Sequence, residues 1–300
     1  MELNFQQIKD KIKNNNKAFI ITHMEKNAYI NKLIKELQLE KNIYFNYNRF
    51  CKESDIIQAK EIFESENCDL VISIGGVNSY SFSRNLKNAI SKNINCINII
   101  TTPTVGFENN NMFFYKSNSG EIVEIKDQYN QDNVIHNFNC LESLTENKRI
   151  CKFLLNFCIS VDKIINKDYA EKEREFAINN IKWTLDNYQN IRNKSFDLVE
   201  LYNRNLKITK NYKYGLVFQL GLKISNELKI RMEKAMVMVI ASIISVLIEK
   251  EIDDKSLNDA FSCSDNTQCY DKLYELISFF HIKKKKYKQR KVLYKIMSNL

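Results

Sequence analysis

Residues 69–74 (DLVISI) form an apolar, largely β-branched run closed by Gly75-Gly76. A strand with one wet face alternates polar and apolar positions, whereas a run like this one is buried on both faces, as in the interior of a parallel sheet. Parallel neighbours cannot be joined by a tight turn, so helical crossovers must flank such a strand. The chain supplies them. Residues 17–22 (KAFIIT) read as a strand, and 28–39 as a helix with Ile30, Leu33, Ile34 and Leu37 on one face. Residues 42–47 (NIYFNY) read as a strand and 53–66 as a helix. After the glycine pair a helical segment runs to residue 91, and 94–100 (INCINII) is the next strand. Residues 112–115 and 121–125, separated by Ser-Asn-Ser-Gly, read as an antiparallel hairpin appended to this sheet.

From about residue 145 the strand pattern ends. Helical periodicity runs through 148–165, 169–188, 195–211, 214–251 and from 256 onward. The expected organisation is therefore a Rossmann-like α/β domain at 1–145 and an all-helical domain at 146–300, with the boundary in a polar connector that begins at His136.

Composition narrows the function classes. The opening MELNFQQIKDKIKNNN has no apolar core of a secretory leader, and the longest apolar run, 236–248, is too short to span a bilayer. This reads as a cytoplasmic protein with no membrane partner. The eight cysteines are expected as reduced, mostly buried thiols, and the x5 spacing of Cys263 and Cys269 does not make a zinc ribbon. Much of the net charge of +9 sits in the tail at 283–295 (KKKKYKQRKVLYK). That tail keeps a nucleic-acid-associated role open, although no recognition module surrounds it.

The strongest chemical signal is the turn Gly75-Gly76-Val77-Asn78-Ser79 between a buried strand and a helix. In open α/β sheets, ligands bind beyond the carboxyl ends of the strands, with phosphate against the backbone N–H groups of the following helix. The loop after the next strand, Thr101-Thr102-Pro103-Thr104-Val105-Gly106, ends at the same sheet edge. A tight turn with no ligand is the simpler account of a Gly-Gly pair alone; two such loops side by side favour a ligand.

The order of these motifs resembles the superfamily of iron-containing alcohol dehydrogenases, glycerol dehydrogenases and 3-dehydroquinate synthases. The residues that carry the resemblance are DLVISIGGVNSYSFSR at 69–84, INIITTPTVGF at 97–107 and MFFYKSNSGEIVEI at 112–125. KAFIITH at 17–23 stands in the place of the first dinucleotide-binding strand. The ending KQRKVLYKIMSNL is similar to the glycerol-1-phosphate dehydrogenase branch. The resemblance implies a dehydroquinate synthase-like fold, NAD or NADP held at Gly75, Gly76, Asn78, Ser79, Thr101, Thr102, Thr104 and His23, and a homodimer. It also implies a small alcohol, polyol or sugar-phosphate substrate.

The departures are equally specific. The third glycine of the family's turn is Val77, its following Asp is Ser81 and its Lys is Arg84, a possible counter-charge for phosphate. The family's metal site takes one Asp and two His; here the Asp position is apolar unless the register slips to Asp162, and Lys234 stands where the first His would be. The metal is therefore expected to be absent, with Lys234 as the substituting cation and Glu233 beside it as a catalytic partner or a solvated neighbour. Three functions follow: a metal-free nicotinamide-dependent oxidoreductase, a non-catalytic homologue that keeps the fold as a binding or regulatory subunit, and a nucleic-acid-associated protein.

Overall fold

The computed structural model describes residues 12, 17–22, 28–37, 39, 42–47, 51–90, 94–102, 112–126, 133–136, 144–193 and 195–282. The chain divides into two compact units, residues 1–143 and 144–300.

The first unit is built on β1 (Ala18–Thr22), β2 (Asn42–Asn46), β3 (Leu70–Gly75), β4 (Asn95–Ile100) and a short strand at Asn133–His136. They form one parallel sheet in which β1 lies between β2 and β3, and β4 lies between β3 and the last strand. That last strand, β7, is absent from the expected elements and ends at His136, where the polar connector was expected to begin; its register pairs His136 with Ile100.

Alternation along the strands builds two cores. Phe19, Ile21, Val71 and Cys96 pack on one face against Ile56, Ala59 and Phe63 of α2 (Glu53–Ser65) and Phe82 and Leu86 of α3 (Val77–Ala89). Ala18, Ile20, Ile72, Ile97 and Ile99 pack on the other, against Leu33 and Leu37 at α1 (Ala28–Glu36). Helices on opposite faces follow from right-handed crossovers: the chain moves outward from β1 to β2 over one face and returns to β3 over the other. The sheet's direction of growth therefore reverses between β1 and β3. The antiparallel pair β5 (Met112–Lys116) and β6 (Ile122–Lys126) is a separate two-stranded sheet, not an extension of the main one. It is tied to the start of α2 by the Lys116 N–H, which donates to Cys51 O over 2.8 Å.

The second unit is helical: α4 (Glu146–Ile165), α5 (Glu171–Asn187), α6 (Leu198–Thr209), α7 (Leu216–Leu228), α8 (Met232–Glu249), α9 (Lys255–Phe261) and α10 (Asn266–Phe279). Helix α4 is buried along nearly its whole length and packs against α5, α7 and α8. Polar side chains inside it are matched: Asn156 donates to Asn205 over 2.8 Å, and Asn180 donates to Ser160 over 2.7 Å. Such a satisfied network fixes how the helices slide against one another. The single helical stretch expected at 214–251 is two helices, broken where Lys229 turns left-handed at φ 54°. The stretch from 256 is likewise broken at Ser262, φ 53°. No described helix is long and apolar enough to cross a membrane.

Candidate functional site

The first candidate lies at the carboxyl edge of the parallel sheet. Gly75 ends β3 with φ 152°, a conformation that costs a side-chain-bearing residue on the order of 1–3 kcal/mol. Its carbonyl accepts from the Thr101 N–H at 2.9 Å, so the β3 turn and the segment after β4 are locked side by side. Gly76 caps α3 in ordinary extended conformation without a side-chain bond, and its carbonyl accepts from the Tyr80 N–H at 3.1 Å. Thr102 follows, half-buried.

Within the first turn of α3, Asn78 is exposed while Ser79 is fully buried. The Ser79 hydroxyl accepts from Tyr47 over 3.0 Å. Tyr47, which the sequence reading did not single out, thus pins the turn from the end of β2, and burial raises its phenol well above the ordinary range. Below the turn, Ser83 donates to Asn98 of β4 over 2.7 Å. Arg84 is buried two turns along α3, its guanidinium 5.0 Å from the Tyr80 ring and 5.8 Å from that of Phe113. His23, Thr104, Pro103 and Gly106 lie outside the described residues, as does the basic tail beyond 282.

The second candidate is in the helical unit. Glu233, at the start of α8, is buried and faces Lys152 of α4, with Oε1 3.9 Å from Nζ. Its partner is thus a lysine from another helix rather than its neighbour Lys234, which is half-buried. Lys152 escaped the sequence reading, although a lysine between Cys151 and Phe153-Leu154-Leu155 in an apolar helix was a signal available there. Burial lowers its pKa; Glu233 opposes that shift, and Arg231 and Lys148 add to it.

Asp162, the carboxylate of the slipped register, is committed elsewhere. It accepts from Val217 N–H at 2.9 Å, from Phe218 N–H at 3.2 Å and from the Tyr212 hydroxyl, capping the start of α7. Burial nonetheless holds its carboxyl above the ordinary range. Among the described residues no group of three or more His, Cys, Asp and Glu is arranged to hold a metal ion. His281 is exposed beyond α10. The seven described cysteines are free thiols, all but Cys263 buried.

No protein-family model matches the sequence, and no curated protein matches it. Solved structures do. An iron-containing alcohol dehydrogenase is similar over 98% of this chain and 88% of its own, with a TM-score of 0.76 at 14% identity. The iron-containing alcohol dehydrogenase of Thermotoga maritima is similar over 98% of this chain and 95% of its own, with a TM-score of 0.71 at 14% identity. The maleylacetate reductase of Agrobacterium tumefaciens is similar over 91% of this chain and 80% of its own, with a TM-score of 0.69 at 13% identity. At such identities the likeness is one of fold: the chain has the two-part architecture of the iron-containing alcohol dehydrogenases.

Proposed function

We propose that this protein is a nicotinamide-dependent oxidoreductase of a small alcohol, polyol or sugar phosphate that works without a divalent metal. The observation that carries the reading is the glycine turn at the carboxyl end of β3, beside the point where the order of strands reverses. That is where open α/β sheets bind nucleotides, because flanking loops diverge there and leave a crevice. One feature of the turn supports a pyrophosphate there. Gly75 and Gly76 put two residues without side chains at the start of α3, where backbone amides would meet an anion. Gly75, Gly76, Asn78, Thr101 and Thr102 would hold NAD or NADP, with Ser79 acting through the Tyr47 bond; His23 and Thr104 belong to the same edge by sequence. The nucleotide would supply the hydride acceptor or donor.

The residues of the helical unit fit a metal poorly, because no imidazole stands in its described helices and Asp162 spends its oxygens on α7. In the metal's stead a cation must polarise the substrate oxygen as hydride departs, and Lys234 is proposed for that part. Glu233, adjacent in sequence, faces Lys152 instead and is not its partner. A second reading, a non-catalytic homologue that keeps the fold as a binding or regulatory subunit, is favoured by one departure: Val77 stands where the family's turn has its third glycine.

Thermal denaturation with and without NADH or NADPH separates the two. A ligand that binds only the folded chain raises its melting temperature by mass action. The shift should appear in the parent and vanish in Gly76→Val. Gly76 has ordinary extended geometry, so valine is compatible with its backbone, and circular dichroism checks that the variant is folded. An unchanged shift in Gly76→Val means the turn is structural only; no shift in the parent removes the oxidoreductase reading.

A further inference from the structure

Positive charge in the helical unit gathers around the start of α8, apart from Lys234. Lys148 and Lys152 stand one turn apart on α4, and Arg231 immediately precedes α8. Arg231 reaches back to α4, its Nη1 3.1 Å from the Cys151 Sγ. The groups that act electrostatically on Lys152 are Glu233, Cys151, Arg231 and Lys148. Burial raises the Cys151 thiol above its ordinary range, which leaves Glu233 as the one carboxylate among the groups acting on Lys152, against the cations Arg231 and Lys148.

Two features separate this cluster from an ordinary structural ion pair. Glu233 lies 3.9 Å from the Lys152 ammonium, longer than a direct hydrogen bond, so the pairing does not consume the ammonium's N–H donors. The Lys152 side chain is also 18% exposed, against 11% for Glu233, so it is the less enclosed member of the pair. Structural ion pairs taken out of water are stable when their charges balance and every donor is satisfied. Here Lys152 and Glu233 are the mostly buried pair, while Arg231 is exposed and Lys148 half-buried at its rim, so the charges of the cluster do not balance.

We propose that Lys148, Lys152 and Arg231 form a binding site for a small oxyanion, phosphate or carboxylate, carried by the substrate, with Glu233 holding Lys152 in place when the site is empty. This deepens the oxidoreductase reading, on which it rests for the word substrate, by giving that substrate a negative charge. Glu233 then competes with the incoming anion: its carboxylate occupies the field the oxyanion would use and sets how tightly the anion is held.

The test uses the full chain without nicotinamide nucleotide, titrated with inorganic phosphate against chloride at matched ionic strength, by calorimetry and thermal denaturation. In the parent, phosphate binds and raises the melting temperature. In Lys152→Met both effects disappear. Because that variant leaves a buried carboxylate alone, the double variant Lys152→Met with Glu233→Leu removes both charges at similar volume; it folds and ignores phosphate. Glu233→Gln gives the opposite signature. It is destabilised in chloride, is restored by phosphate, and binds phosphate roughly tenfold more tightly than the parent, the equivalent of ~1.4 kcal/mol. Malonate in a parallel titration shows whether a carboxylate serves as well as phosphate. The proposal is overturned if the double variant responds to phosphate as the parent does, or if Glu233→Gln gains neither stability nor affinity from it. A separate NADH titration distinguishes the two failures: nucleotide bound and phosphate ignored sinks the anion site alone.

Discussion

The junction between Asp162 and Gly215 is tight enough that one added methyl group has a definite cost. Gly215 caps α7 at φ −72°, a conformation any residue adopts, so alanine is tolerated by the backbone. Space is the obstacle: a Cβ there would stand 2.5 Å from Oδ1, 2.8 Å from Cγ and 2.9 Å from Oδ2 of Asp162. Those separations are impossible, so the carboxylate must withdraw. In withdrawing it gives up the Val217 and Phe218 amides, and a buried hydrogen bond to a charged group is worth about 1.5–3 kcal/mol. Two weakened bonds, less about 0.4–1 kcal/mol from the stiffer unfolded chain, leave Gly215→Ala destabilised by roughly 2–4 kcal/mol. In an Asp162→Ala background the obstacle is gone, and the same change should be neutral or stabilising by about 0.5 kcal/mol. Urea denaturation of the four proteins closes the cycle. The coupling energy should be about 2–4 kcal/mol, well above the ~0.5 kcal/mol seen for independent sites. A coupling below that level would mean the carboxylate relaxes without losing its amides, and the capping account of Asp162 would fail.

Three further outcomes follow from the same structure. Lys234→Met should lower any dehydrogenase activity by ~10²–10⁴-fold while leaving nucleotide affinity intact, as for loss of one charge-stabilising donor; retention of most activity removes Lys234 from the mechanism. Burial raises the Asp162 pKa, so its protonation favours the folded chain: that contribution is complete below the unfolded value near 3.8 and is lost as pH rises through the folded one. The parent's stability relative to Asp162→Asn should therefore be greatest near pH 4 and decline towards neutrality, and a flat difference in melting temperature over that range would contradict the assignment. Elemental analysis of purified protein should find no stoichiometric zinc, iron or nickel; about one tightly held ion per chain would return Asp162 to consideration as a ligand.

The parallel sheet was legible because its interior strands are apolar on both faces and each is followed by a helix-length segment. Residues 69–74 could hardly be anything else. The strand Asn133–His136 was not legible: only Val134 and Ile135 are apolar in it, too few to show a period. Helix ends failed for a related reason. A left-handed residue closing a helix is usually glycine, but Lys229 and Ser262 do that work here, so the breaks after α7 and α9 carry no glycine signal. Asp265 was the readable clue, since its side chain accepts from the Gln268 N–H at 2.9 Å and starts α10.

The two candidate sites differ in legibility because they are built differently. The turn at Gly75 is made by backbone: a strand ends, the chain takes a conformation open to glycine, a helix begins, and all of it is written in consecutive residues. The cluster in the helical unit is made by packing. Lys152 meets Glu233 because α4 lies against α8, and α8 sits where it does partly because Gly221 of α7 lets Met236 lie against its bare backbone, where a Cβ would collide with the Met236 side chain. A glycine in the middle of an apolar helix, far from both charged residues in sequence, thus helps decide which lysine Glu233 faces. Sequence adjacency pointed to Lys234, and side-chain burial points to Lys152. The outcomes of Lys234→Met and Lys152→Met will differ in kind: the first tests a cation acting on the reacting oxygen, the second a cation that anchors the substrate's charge at a distance from it.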